Sequence, residues 1–166
     1  MARDDRDFNE FVELRYGELL RMAYLLTGSS HDAEDLVQSA LAKVMRRWHK
    51  VDDPLAYLRR TMANEQITWW HRLRSREAVG VRAPEPAVDD ATDRVVQRQA
   101  VLSALRKLPA RTRVVVVLRY LDDMSEAQVA ALLGWPLGTV KSQSSRGLSR
   151  LRDLLGVAEP VKEKVR

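Results

Sequence analysis

A chain of 166 residues with 45% hydrophobic side chains can bury a sizeable core, arranged as one domain or two small ones. It contains no cysteine, which excludes disulfides, thiolate metal sites and cysteine nucleophiles and suits a cytoplasmic location. The formal charge of +5 suits a polyanionic partner, and sparse Gly and Pro beside plentiful Ala, Leu and Arg predict an all-α fold. The opening MARDDRDFNEFV is too charged for a secretory signal, and no apolar run is long enough to span a membrane.

The first helix is expected to start after Asp7, capped by its carboxylate with Glu10 three residues on, and to stop at Gly28. Phe8, Phe11, Val12, Leu19, Met22, Ala23 and Leu26 form its apolar stripe. A second helix is expected from Ser30 to about Trp48, with Met45 and Trp48 facing inward. Pro54 then opens a third helix capped by Asp52 or Asp53. From Glu77 to Asp93 periodicity is lost and two prolines gather with several acids, which reads as a flexible linker. Periodicity returns at Val95 and runs to Pro109, where a new helix must start. The run VVVVL at 114–118 has strand propensity, but no partner strand exists elsewhere, so it is read as helix. Ser125 and Gln128 form a capping box for a short helix. Gly134-Trp135-Pro136 ends it, and a last helix opens at Leu137 or Gly138. Two helices about such a turn make a helix-turn-helix.

On that last helix Val140, Leu148, Leu151 and Leu155 share an apolar side with Ser144 and Gly147. The opposite side carries Lys141, Ser142, Ser145 and Arg146, cations among short hydroxyls that allow a close approach to an anionic surface. In a helix-turn-helix this second helix enters the major groove, where Lys141 and Arg146 reach guanine edges or phosphates. Arg150 and Arg152 lie nearer the exit, suited to backbone phosphate. A solvated helix surface is the plainer account of each arginine.

Charge is distributed unevenly. Residues 1–35 hold four basic and nine acidic side chains, whereas residues 36–76 hold nine basic and three acidic. The third helix combines Arg59, Arg60, Arg72, Arg74 and Arg76 with Tyr57, Trp69, Trp70 and the amide of Asn64. Cations hold a single-stranded backbone while flat rings stack on exposed bases, and Arg59, Arg60 and Asn64 are the better candidates because neither residue type needs burial. At least one tryptophan is needed for core. The second helix presents Asp35 and Gln38 on one face, which suits a basic protein surface, although a helix start favoured by the dipole accounts for the same pattern.

No catalytic constellation is present in the sequence. His31, His49 and His71 are scattered without carboxylates at metal-ligand spacing, and no phosphate-binding glycine loop occurs, so neither metal nor cofactor is expected and the chain is not read as an enzyme. A stand-alone helix-turn-helix regulator binding duplex DNA as a dimer, and an adaptor whose basic faces take acidic proteins, are the rival readings.

AYLLTGSSHDAEDLVQSAL followed by RW, PLAYLRRTMAN and WWHRLR resembles the first domain of the extracytoplasmic-function (ECF) RNA polymerase sigma factors, closest to the actinobacterial SigE branch. LPARTRVVVVLRYLDDMSEAQVAALLGWPLGTVKSQSSRGLSRLR is similar to their second domain. The resemblance implies two small helical domains: residues 8–76, a region 2-like unit, and residues 94–156, a region 4-like unit, with a linker over 77–93 and a tail over 157–166. It implies that Asp35 and Gln38 dock on the clamp helices of the core polymerase's largest subunit. Lys141, Ser142, Ser145 and Arg146 would read the duplex element near minus thirty-five. The loop HKVDDP with Arg59, Arg60 and Asn64 would recognise the melted minus-ten element, and the linker would thread toward the active-site channel. Promoter DNA and core RNA polymerase are thus the implied partners, with room for an anti-sigma protein encoded elsewhere. The pattern departs at Gln143, where many relatives carry arginine, and at Trp69-Trp70-His71, where relatives often carry arginines. No additional regulatory domain is expected after Arg166.

Overall fold

The structure, a computed structural model, describes residues 4–77 and 92–157. Every element among them is helical: α1 (Asp5–Thr27), α2 (Ser30–Met45), a 3-10 turn (Trp48–Lys50), α3 (Pro54–Glu77), α4 (Asp93–Arg106), α5 (Ala110–Val116) continuing as a π-helical segment (Val117–Leu121), α6 (Glu126–Leu133) and α7 (Leu137–Leu155). The all-α fold of two domains is therefore observed, and most of the linker and tail assigned from the sequence lies outside the described residues.

In the N-terminal domain α1 packs on α2 and α2 on α3. The apolar stripe of α1 is buried or half-buried as its spacing predicts. The helix begins before Asp7, at Asp5. Asp7 is a first-turn residue whose Oδ2 accepts from the Asp4 N–H at 3.0 Å, so it reaches back to the helix start instead of capping from outside. Gly28 ends α1 with a φ of +72°, a conformation an L side chain rarely adopts. α2 stops at Met45, earlier than expected, and Met45 is exposed where an inward side chain was predicted. The reason lies at Trp48, which turns out of the helix to pack its ring against Phe8 and Phe11, with centroids 5.2 and 5.3 Å away. Asp53 caps α3, its Oδ1 accepting from the Ala56 N–H at 3.0 Å.

The C-terminal domain is built around α5, which packs on α7, while α4 and α6 also pack on α7. VVVVL is helical, and Val114 to Leu118 are buried on all sides, which explains why the run shows no helical stripe. The two domains also pack together, α1 against α4 and the π segment, α3 against α5 and α6, so that their buried apolar residues form one contiguous cluster.

The seam is closed by polar groups. Arg113 of α5 is 1% exposed, and its guanidinium donates to four carbonyls: Leu105 at 2.7 Å, Leu108 at 2.8 Å, Arg106 at 3.1 Å and, across the seam, Leu26 at 3.0 Å. Leu26 O also accepts from the buried Gln66 amide at 3.1 Å. The end of α1 and the end of α4 thereby gain donors for carbonyls that have no intrahelical partner. Burial, aided by nearby Arg106, lowers the Arg113 pKa from the usual guanidinium range to about 10, which leaves it charged at neutral pH.

Candidate nucleic-acid interface

The helix-turn-helix follows from local chemistry. Ser125 Oγ accepts from the Gln128 N–H at 3.1 Å, and the Gln128 side chain accepts from the Ser125 N–H at 2.8 Å, so α6 starts where its sequence specifies. Gly134 ends it in the left-handed region, and α7 opens at Leu137. Val140, Ser144 and Gly147 are buried on the face that meets α5, whereas Leu155 at the far end is exposed, so the apolar side is shorter than its spacing suggests. Gly147 permits the contact: a Cβ there would sit 2.5 Å from Val116 Cγ2 and 2.9 Å from Thr112 Cγ2. The Ser144 hydroxyl meets Tyr120 Oη at 3.2 Å, a contact reached through the π segment.

With that face anchored, α7 turns Lys141, Ser142, Ser145 and Arg146 outward, all four exposed. Gln143, where the family resemblance breaks, is half-buried, and its Oε1 accepts from Thr112 Oγ1 at 2.6 Å. It braces the helix against α5. Beside α7, the Arg111 guanidinium lies 4.2 Å from the centre of the Trp135 ring. Arg111, with Arg106 and Lys107, escaped the sequence reading. Their signal was a basic cluster flanking Pro109, legible only once the α4–α5 corner is placed beside α7.

In the N-terminal domain the structure separates the minus-ten candidates. Arg60 and Asn64 are exposed. Arg59 is drawn into the seam, its Nη2 2.6 Å from Glu18 Oε1 and its Nε 3.3 Å from Asp122 Oδ2. Arg60 also stands near the C-terminal domain, since a Cβ on Gly134 would be 3.8 Å from its Nη2. Asp122 titrates above its ordinary 3.8. Burial is the main cause and Glu18 adds to it, while Arg59 and Arg21 pull the other way.

A groove between α2 and α3 brings together residues that the sequence assigned to different partners. Asp35 and Asn64 both line it, with Ser39, Glu65, Thr68 and Trp69. Glu65 accepts from Ser39 Oγ at 3.1 Å and pairs with Lys43. Gln38 is exposed on the same helix as Asp35, and Asp35 stands 3.5 Å from the exposed His31 imidazole. Trp69 is about half exposed, and the side chain of Trp70 lies outside the described residues. Among the described residues, no cluster of His, Asp and Glu could hold a metal ion, and no helix is long and apolar enough to cross a membrane.

Comparison with known proteins agrees with this architecture. The family profile described as Sigma-70 region 2 matches residues 11–76, and the one described as Sigma-70, region 4 matches residues 98–151. The RNA polymerase sigma-E factor of Streptomyces coelicolor is 41% identical over 152 residues, 90% of this chain and 86% of that protein. The ECF RNA polymerase sigma factor SigE of Mycolicibacterium smegmatis is 31% identical, over 89% of this chain and 61% of its own length. Among solved structures, the sigma factor RpoE of Bartonella quintana, in complex with the anti-sigma factor NepR, is similar with a TM-score of 0.77 and 30% identity. That match covers 93% of this chain and 99% of RpoE. Two sigma-70 regions in this order, on a chain that matches curated relatives over most of its length, show that it belongs to the ECF family of RNA polymerase sigma factors.

Proposed function

We propose that this chain binds bacterial core RNA polymerase in the cytoplasm and directs initiation at promoters with two elements, one read as duplex and one as melted strand. The exposed face of α7 carries the reading: Lys141, Ser142, Ser145 and Arg146 stand clear of the core on a helix braced from behind by Val140, Ser144 and Gly147. Such a face suits direct contact with base edges and phosphates in a major groove. The exposed Arg60 and Asn64, with Arg59 once it is released from Glu18 and Asp122, would meet the minus-ten strand. Asp35 and Gln38, exposed on α2, would dock on the clamp helices of the polymerase's largest subunit through charge complementarity. The chain supplies recognition, and the chemistry belongs to the polymerase. The RpoE likeness, solved with an anti-sigma factor, supports a regulator of that kind here as well.

The test is in-vitro transcription with core polymerase and a panel of promoters, with and without the chain. Initiation at defined starts only when it is added supports the reading, and the mapped starts reveal both elements. Failure across the panel together with no binding to core polymerase would leave a stand-alone helix-turn-helix regulator as the better account.

A further inference from the structure

The recognition face of α7 is braced from behind by two kinds of contact. Val140 and Gly147 are buried there by apolar packing, which resists separation but has no preferred direction. Two hydrogen bonds do have a direction: Thr112 Oγ1 donates to Gln143 Oε1 at 2.6 Å, and Tyr120 Oη meets Ser144 Oγ at 3.2 Å. They land on consecutive residues of α7, about 100° apart around its axis, one from the first turns of α5 and the other from the π segment. A roll of α7 lengthens at least one of them. Tyr120 reaches Ser144 where the backbone has left the α-helical path. The Asp122 N–H donates to Val117 O at 3.2 Å, and Leu118 O, the acceptor an α-helix would have supplied, takes the Met124 N–H at 3.1 Å. Arg119 fixes the end of this segment, donating to Met124 O at 2.6 Å with its guanidinium 5.3 Å from the centre of the Tyr120 ring. Ser144 is buried, and a mid-helix serine with no other partner bonds the carbonyl four residues back, which often bends the helix. The Tyr120 hydroxyl gives it an alternative.

We infer that Tyr120 is a positioning residue for promoter recognition: through Ser144 it fixes the roll of α7 and so sets which base edges Lys141 and Arg146 reach. This rests on the reading of α7 given above. Lys141 and Arg146 flank Ser144 within one turn on either side, so both swing with it. A roll of about 10° carries a side-chain tip at the helix rim, about 6 Å from the axis, by about 1 Å. That exceeds the spread of hydrogen-bond lengths, whereas the attraction of a cation for a phosphate weakens only gradually over the same distance. Loss of the Tyr120 hydroxyl therefore lowers sequence discrimination and spares the general attraction for DNA.

The test measures binding of the reconstituted holoenzyme, the full chain with core polymerase, to two fluorescent promoters that share a minus-ten element. One carries the mapped upstream element and the other has it replaced by unrelated sequence; the ratio of the two affinities is the readout. Tyr120→Phe, which keeps the ring and removes the hydroxyl, is expected to lower that ratio about three- to tenfold by weakening binding to the intact promoter alone. Ser144→Ala should do the same, and the double variant should be no worse than either single one, because both changes remove one shared contact. Leu105→Ala, which empties a buried site on α4, controls for stability: it should lower the melting temperature and leave the ratio intact. An unchanged ratio for Tyr120→Phe would overturn the inference, whatever its melting temperature. Equal loss on both promoters would also overturn it, since a folding defect or a weaker hold on core polymerase acts on both. So would losses that multiply in the double variant, or a matching fall in the ratio for Leu105→Ala. Failure of the α7 reading is distinct: the wild-type holoenzyme would itself bind the two promoters alike.

Discussion

Arg59 and Asp122 meet across the seam between the domains, with Arg59 Nε 3.3 Å from Asp122 Oδ2, although Arg59 belongs to α3 and Asp122 follows the π segment, far along the chain. The pair is mostly enclosed, with side chains 19% and 13% exposed, and Glu18 shares the guanidinium. A candidate DNA-contacting arginine is thus engaged by carboxylates from both domains.

The upward pKa of Asp122 sets a sign for its pH dependence. A carboxyl whose folded pKa exceeds its unfolded value of 3.8 favours the folded state in its protonated form. That contribution is complete below 3.8 and is lost as pH rises through the raised value. The wild type should accordingly lose stability relative to Asp122→Asn as pH rises from about 3.8, and the difference should level off once Asp122 is fully ionised. Urea titrations of both proteins across the acidic range check this, and a gap that widens as pH falls below 3.8 would contradict it.

Arg113 is the least replaceable polar residue of the seam. Arg113→Ala removes one donor from each of four carbonyls, of which Leu26 O keeps Gln66 and Leu105 O keeps the Leu108 N–H, and should cost about 3–5 kcal/mol in denaturant unfolding. Arg113→Lys should recover less than half of that, because a single ammonium with three donors cannot reproduce a planar fork spread over four acceptors.

Two helical glycines should respond with opposite signs. Gly147→Ala would force a methyl against Val116 and Thr112 and should destabilise by about 1–3 kcal/mol despite the better helix propensity of alanine. Gly17→Ala meets nothing within 4 Å and should stabilise by up to about 1 kcal/mol. Thermal melts of the two variants separate overpacking from propensity, and Gly147→Ala should also weaken upstream-element binding by shifting α7.

The promoter faces should separate by step. Lys141→Ala or Arg146→Ala is expected to weaken binding to the upstream element by about 1–3 kcal/mol if the side chain reads a base. Asn64→Ala should leave duplex recruitment nearly intact and slow strand opening, measured by permanganate reactivity of unpaired thymines. Equal effects of these changes on both steps would count against the division of labour.

Much of this was legible in local sequence, because local rules govern it. Ser125 with Gln128, Gly28, Gly134 and Pro54 each carry their helix boundary in a cap or a backbone preference that needs no distant partner. The outward face of α7 followed from the 3.6-residue period, since burial of Val140, Ser144 and Gly147 leaves Lys141, Ser142, Ser145 and Arg146 nowhere to point but away. The errors occurred where a distant side chain intervened: Trp48 leaves the helical path to reach Phe8 and Phe11, and Met45 is left exposed. Arg59 looked like its neighbour Arg60, yet one helical step of about 100° turns it toward Glu18 and Asp122. The buried fork of Arg113 belongs to the same class. Its acceptors lie on other elements, and hydrogen-bonding capacity in a sequence names a requirement without naming what meets it; only packing of the helices supplies the carbonyls for Arg113.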